Sequence, residues 1–377
     1  MFEIIKSAQP DPILGLTENF NLDKRLNKIN LSVGVYQDSQ GQTPTFDSVR
    51  KAEGLLLQKD SSKSYKPIIG DEEFGLLVKD LVLGKIITKE RKNTAKSIHT
   101  PGGTGALRVV MDYFSKFHPN SVFWISKPSW PNHQQIISAA DLNFNEYSYF
   151  NSENNQLNFN GMINDLSNIK SGDVVLLHGC CHNPTGIDLN LSQWEDISDL
   201  LLDKKVIPLI DFAYQGFGNG LNEDSEGLRK IVQKIPESIV CSSFSKNFGL
   251  YSERVGALTI LGSDEHLLQN VLSQIKVCIR SNYSNPPSHG GDIVKLIEPC
   301  SLYISSASDD KWSRDSKEIY EHYENQNYHP QRREGKVFGF LYRLAQIFNN
   351  KSKINGLEIV KETKYLRHFT SELKQKD

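Results

Sequence analysis

The chain is short of cysteine, of long apolar runs and of excess charge, and each shortage excludes something. Five cysteines in 377 residues (Cys180, Cys181, Cys241, Cys278 and Cys300) form an odd, sparse set without metal-ligand spacing. Such a set suits neither a disulfide framework nor a zinc site, and points to reduced thiols in a cytoplasmic protein. No stretch reaches the roughly 18 apolar residues a membrane helix needs. The start, Met1-Phe2-Glu3-Ile4-Ile5-Lys6, carries no apolar signal core. A formal net charge of -2 offers no generic surface for nucleic acid or membrane. The expectation is a soluble cytoplasmic protein with no nucleic-acid or membrane partner. There are no internal repeats.

What is present is an alternation of two periodicities. Val122–Ile125, Val174–Leu177, Val206–Ile210, Ile239–Ser242 and Val255–Ile260 are short apolar runs expected to form buried strands. Between them, Thr104–Phe117 and Ser192–Lys205 repeat apolar residues at helical spacing. This predicts an α/β fold with a mostly parallel central sheet and helices on both faces. Ligands in such sheets sit outside the carboxyl ends of the strands. Residues 1–45 are irregular, and 46–297 carry the alternation. From 298 to 377 the texture changes to a Ser-rich stretch and a Tyr-, His-, Asn- and Arg-crowded one without strand–helix alternation.

The chemistry-bearing residues fall where the strands end. Asp211 closes one apolar run, and Lys246 follows another within Ser-Ser-Phe-Ser-Lys-Asn-Phe-Gly (242–249). Flanking hydroxyls (Ser243, Ser245) and Phe248, rather than charges, set Lys246 apart from a surface lysine. A lysine that forms a Schiff base, an aspartate that keeps a pyridine nitrogen protonated, and serines with Arg254 on a phosphate would together hold pyridoxal 5'-phosphate. Thr100-Pro101-Gly102-Gly103-Thr104-Gly105 is a glycine-rich turn opening a helix, suited to an anion or merely a tight turn. Trp130, in Pro128-Ser129-Trp130-Pro131-Asn132-His133, can stack on a planar ring or fill core. His133 can tune a neighbouring network or be structural. The run His178-Gly179-Cys180-Cys181-His182-Asn183-Pro184 has metal-ligating residue types at the wrong spacing, so no metal is expected. Asn183 before Pro184 is a side-chain donor fixed in a turn. Tyr214 has an ordinary packed alternative, Asp211 a helix N-cap alternative, and Arg254 a surface salt bridge.

Taken in order, these segments resemble the aspartate (or aromatic-amino-acid) aminotransferase branch of the class I pyridoxal-phosphate aminotransferases. The matching stretches include Asp11–Leu16, Thr100–Leu107, Pro128–His133, His178–Gly186, Asp211–Phe217, Ser243–Gly249, Glu253–Gly256 and Asn282–His289. The resemblance implies a fold-type-I homodimer with shared active sites, acting on amino acids and 2-oxo acids by ping-pong transamination. It gives Lys246 the catalytic role and Asp211 the ring nitrogen. Asn183 and Tyr214 would hold the ring oxygen, and Trp130 would stack. The phosphate would fall to Gly103, Thr104, Ser243, Ser245 and Arg254, with Tyr65 from the partner subunit. Gly34, Trp130 and Asn183 would meet substrate, and Arg280 from the partner would bind its side-chain carboxylate.

Two features depart from that pattern. Tyr65 is followed by Lys66-Pro67-Ile68-Ile69-Gly70, unlike the usual loop of the branch. Beyond Ile297 the resemblance ends. The Gly-Arg-[Ile/Val]-Asn-like motif that supplies the α-carboxylate arginine is not found, and Arg314, Arg332, Arg333, Arg343 and Arg367 stand in other contexts. Residues 298–377 therefore suggest a frame-shifted or replaced tail in place of the rest of a smaller domain. The alternative to an active enzyme is a cofactor-binding product impaired in catalysis.

Overall fold

A computed structural model describes residues 2–6, 20–25, 34–36, 42–58 and 62–297. The described residues up to Val35 belong to a unit separate from the one that begins at Tyr36. In the first, a 3-10 turn spans Phe2–Ile4, and Arg25 pairs with Asp23. The expected atypical tail, 298–377, lies outside the described residues.

The larger unit opens with helices α1 (Asp47–Gln58) and α2 (Glu72–Glu90). Strand β1 (Ala95–Pro101) leads directly into α3 (Gly102–Phe117). There follow β2 (Val122–Lys127), α4 (Pro131–Ser138), β3 (Asn143–Ser148), the small hairpin β4 (Phe150–Asn151) and β5 (Gln156–Leu157), and α5 (Phe159–Leu166). The chain continues through β6 (Val174–His178), α6 (Leu191–Lys204), β7 (Ile207–Phe212), α7 (Glu226–Lys234) and β8 (Ser238–Ser243). It closes with β9 (Val255–Leu261), α8 (Glu265–Asn282) and α9 (His289–Ile297). Helix ends carry local signals. Asp71 caps α2, Asn190 and Gln193 make a capping box at α6, and Lys205 stops α6 in the left-handed conformation.

Seven strands form one sheet in the order β1-β9-β8-β7-β6-β2-β3. Neighbours from β8 through β7, β6, β2 and β3 are parallel. β9 is antiparallel to both β8 and β1, so six strands point one way and β9 alone points back. All five expected strands form, with β7 beginning one residue later than its apolar run. Their runs are continuous because both faces are covered. Val174 and Leu176 enter one apolar cluster, while Val175 and Leu177 enter the other. Helices α3, α4 and α8 supply the first cluster, and α1, α2, α5, α6, α7 and α9 the second. β1 and β3 are the two edges, and their mixed sequences gave no strand signal. Among the described residues no helix is long and apolar enough to cross a membrane.

β9 passes so close to the start of α3 that Gly256 has no room for a side chain. A Cβ there would overlap the Gly102 carbonyl carbon and lie 2.6 Å from the Gly103 nitrogen. Backbone cannot rotate aside as a side chain can. Gly256→Ala is therefore expected to destabilise the fold by about 1–3 kcal/mol, read as a lower urea midpoint at unchanged slope. An unchanged midpoint would show that the β9–α3 approach is looser than described.

Candidate active site

The parallel strands deliver their polar ends to one edge of the sheet. β6 ends on His178, which pairs in register with Asp211 of β7. Asp211 pairs with Cys241 of β8, whose strand ends three residues before Lys246. The reversal of β9 adds a residue that a uniformly parallel sheet would place elsewhere. Its first residue, Val255, lies opposite Pro101, the last of β1, so Arg254 arrives at the same edge as the start of α3.

Around that start the backbone and side chains form a cradle. Gly102 has φ 72°, and a Cβ on it would stand 2.6 Å from Arg254 Nη2. A Cβ on Gly103 would come 3.1 Å from Ser243 Cβ. Arg254 Nη1 donates to Ser245 Oγ (3.2 Å) and to the Tyr251 carbonyl (2.9 Å). The Ser245 N–H donates to Ser243 Oγ at 3.4 Å. No side chain caps α3 at Pro101, which leaves its first-turn N–H groups, Thr104 among them, to other acceptors.

Beside the cradle lies a buried charge arrangement. The Asp211 side chain is 11% exposed, and its Oδ2 accepts a hydrogen bond from His133 Nε2 at 2.8 Å. Burial pushes the Asp211 carboxyl up. The hydrogen bond from His133, with the Lys246 ammonium behind it, outweighs burial and holds it below the ordinary carboxylate value. Lys246 Nζ lies 5.1 Å from the centre of the Tyr214 ring. Burial pulls the Lys246 amine below the 10.5 of an ordinary lysine; Asp211 opposes that shift and Arg254 adds to it. Burial, with Asp211 next, raises the Tyr214 hydroxyl.

Behind His133 runs a chain of hydrogen bonds that the sequence did not reveal. Ser129 Oγ lies 2.9 Å from His133 Nδ1 and 3.4 Å from His178 Nε2. The Asn183 N–H donates to His178 Nδ1 at 3.3 Å. Directions follow from the two ends. A backbone N–H only donates and a carboxylate only accepts. His178 therefore donates through Nε2 to Ser129, Ser129 donates to His133 Nδ1, and His133 donates through Nε2 to Asp211. Burial and the neighbouring His133 push the His178 imidazole down to about 3, which keeps it neutral. A signal for His178 existed: like Asp211, it is the polar end of a fully buried strand. Nothing local marks Ser129 as its partner.

Most of the expected site residues come together here. Gly103, Thr104, Ser243, Ser245 and Arg254 surround the cradle, while Asp211, Tyr214 and Lys246 lie next to it. Trp130 packs edge-on against His133 with ring centres 5.1 Å apart, and Asn183 joins through its backbone. Two residues stand apart. Tyr65 is 93% exposed. Arg280 is exposed on α8 and donates to Ser284 Oγ. Neither hydrogen-bonds to the cluster. Gly34 is exposed and belongs to the first unit. The residues present fit pyridoxal 5'-phosphate: a cradle that one Cβ at Gly102 would fill, an ionised buried carboxylate, and an amine shifted toward its neutral form.

Comparison with known proteins agrees. The chain matches the aminotransferase class I and II family over residues 27–297, and it belongs to that family. It is 50% identical to the aspartate aminotransferase of Escherichia coli (strain K12) over 297 residues, 79% of this chain and 75% of the relative. It is 43% identical to the aromatic-amino-acid aminotransferase of Pseudomonas aeruginosa over 296 residues, 78% of this chain and 74% of that one. Among solved structures it resembles an aromatic-amino-acid aminotransferase from Burkholderia pseudomallei covalently bound to pyridoxal phosphate. That likeness has a TM-score of 0.78 and 37% identity, covering 86% of this chain and 79% of the other.

An amine reacts only when unprotonated, so the pH dependence of Lys246 labelling by an acylating reagent reads its pKa directly. In the cofactor-free protein the half-point is expected below 10.5. Asp211→Asn should lower it further, because the carboxylate favours the ammonium form. A half-point equal to that of surface lysines would contradict the burial of this amine.

Proposed function

We propose that this chain is a pyridoxal-phosphate-dependent aminotransferase. It transfers the amino group of L-aspartate, with aromatic amino acids as a further donor class, to 2-oxoglutarate in two half-reactions. The observation that carries this reading is the junction of the Asp211–Lys246 pair with the Gly102–Arg254 cradle at one sheet edge. When bound, pyridoxal 5'-phosphate supplies an aldehyde that captures amines and a protonated ring that withdraws electrons from the substrate α-carbon.

The chain's own residues do the rest. Arg254, Ser243, Ser245 and the N–H groups of Gly103 and Thr104 bind the phosphate. Asp211, held ionised by His133, keeps the proton on the ring nitrogen. Asn183 and Tyr214 would donate to the ring oxygen, and Trp130 would stack on the ring and, with Asn183, meet substrate. Lys246 Nζ would anchor the cofactor and move a proton at the substrate α-carbon; its lowered affinity for protons favours the free amine that such a base requires. Gly34 offers its backbone to substrate.

The same proposal includes a homodimer in which Tyr65 reaches the partner's phosphate site and Arg280 the partner's substrate side chain. Their exposure, away from the cluster on their own chain, supports that role. A cytoplasmic location fits the four described cysteines, all free and buried. We retain the division into 1–45, the cofactor-binding 46–297, and a C-terminal 298–377. The alternative reading, a cofactor-binding product impaired in catalysis, turns on that last segment, which lies outside the described residues.

Stopped-flow absorbance of the cofactor-loaded protein tests the proposal. L-aspartate should convert the cofactor to its amine form, and 2-oxoglutarate should restore it. Arg280→Ala should slow the step with L-aspartate by about 10- to 100-fold, the worth of a charge-assisted carboxylate contact, while sparing phenylalanine. A loaded protein whose spectrum ignores every amino acid supports the impaired reading.

A further inference from the structure

The loop after Tyr65 departs from the usual pattern, and the structure shows what its residues do. Tyr65 itself is nearly fully exposed, so its position is set by the segment that follows. That segment folds tightly: the Gly70 N–H donates to the Pro67 carbonyl at 2.8 Å and the His99 N–H to the Ile69 carbonyl at 3.0 Å. Gly70, with φ 80°, lies so near His99 and Pro286 that a Cβ would meet Pro286 Cγ at 3.2 Å. Pro286 lies in the turn between α8, which carries Arg280, and α9.

Asp71 closes the loop and faces two ways. Its Oδ1 accepts from the N–H groups of Glu73 (2.9 Å) and Phe74 (3.4 Å), starting α2. Its Oδ2 accepts from Lys295 Nζ of α9 at 2.9 Å, with Lys66 Nζ at 4.0 Å. Lys295 also holds Asp292 Oδ1 at 3.0 Å and reaches Glu73 Oε2 at 3.7 Å. The Lys295 side chain is only 16% exposed, which shields the cluster from solvent more than an open surface pair. Burial pulls the Lys295 ammonium down, but its hydrogen bonds to Asp71 and Asp292 outweigh this and raise it.

We propose that Asp71 and Lys295 are positioning residues: their ion pair fastens the Tyr65 loop to α9 and so sets where Tyr65 meets the partner subunit's phosphate site. The inference rests on the shared-site dimer proposed above. Because Gly70 also abuts Pro286, the loop bearing Tyr65 and the segment following Arg280 are held as one block.

Hybrid dimers, purified through two different tags, test this. In one hybrid, Lys246→Ala and Lys295→Gln share a chain and the other chain is unaltered. The one intact Lys246 then faces a loop without its clip. In the second, Lys246→Ala is on one chain and Lys295→Gln on the other, so the intact Lys246 faces a clipped loop. The readout is the dissociation constant of pyridoxal phosphate, from its visible absorbance when joined to Lys246. The first hybrid should bind about 3- to 10-fold more weakly, the range of a partly buried ion-pair network. The second should match the hybrid carrying Lys246→Ala alone.

Lys295→Arg in place of Gln should restore affinity. Asp71→Asn should reproduce the loss, because asparagine still caps α2 but carries no charge. Weakening that follows the chain's own Lys246, or no weakening, overturns the proposal. Tyr65→Phe, run in the same two arrangements, separates the causes. If it weakens the first arrangement while Lys295→Gln does not, the clip alone is wrong. If it has no effect across the dimer, the shared-site reading falls and this inference with it.

Discussion

A carboxylate kept ionised in a buried place is the constraint on which the site depends. Asp211 gains its charge at a cost in hydration, and the hydrogen bond from His133 offsets that cost. Because Ser129 donates to its other nitrogen, His133 carries its proton on Nε2 and donates it to Asp211. His178 and the Asn183 backbone fix Ser129 in turn. The tautomer of His133 is thus set by a main-chain N–H three hydrogen bonds away. Lys246 feels the same charge, and Asp211 moderates the loss of proton affinity that burial imposes on it.

Sheet direction is the second constraint. Parallel strands bring His178, Asp211 and the approach to Lys246 to one edge, but a phosphate also needs a cation there. The single reversed strand, β9, delivers Arg254 to that edge and presses Gly256 against Gly102. The same close approach that excludes side chains at these glycines leaves backbone N–H groups at the start of α3 without a side-chain cap. The uncapped helix start and the tight β9–α3 packing meet at one place in the fold.

Much of this was legible in the sequence. Strands buried on both faces are continuous apolar runs, and a polar residue directly after such a run stands out, as Asp211 does; Lys246 stood out by its flanks, Ser243, Ser245 and Phe248, which carry no charge. The edge strands β1 and β3 could not, because Ala95–Pro101 and Asn143–Ser148 mix polar and apolar residues. The Ser129–His178 link was hidden for another reason: it depends on which strands become neighbours, a long-range property absent from local pattern. The Tyr65 loop was visible only as an oddity, since its partner Lys295 lies 224 positions away.

If Asp211 stays ionised beside the cofactor ring, it holds a proton on the ring nitrogen. The most direct measurement is the nitrogen-15 NMR shift of ring-labelled pyridoxal phosphate bound to the protein and to Asp211→Asn, followed across pH. The ring nitrogen of the unaltered protein should remain protonated well above the pH at which the free cofactor loses that proton, and the variant should lose this protection. Identical titrations in the two proteins would contradict it.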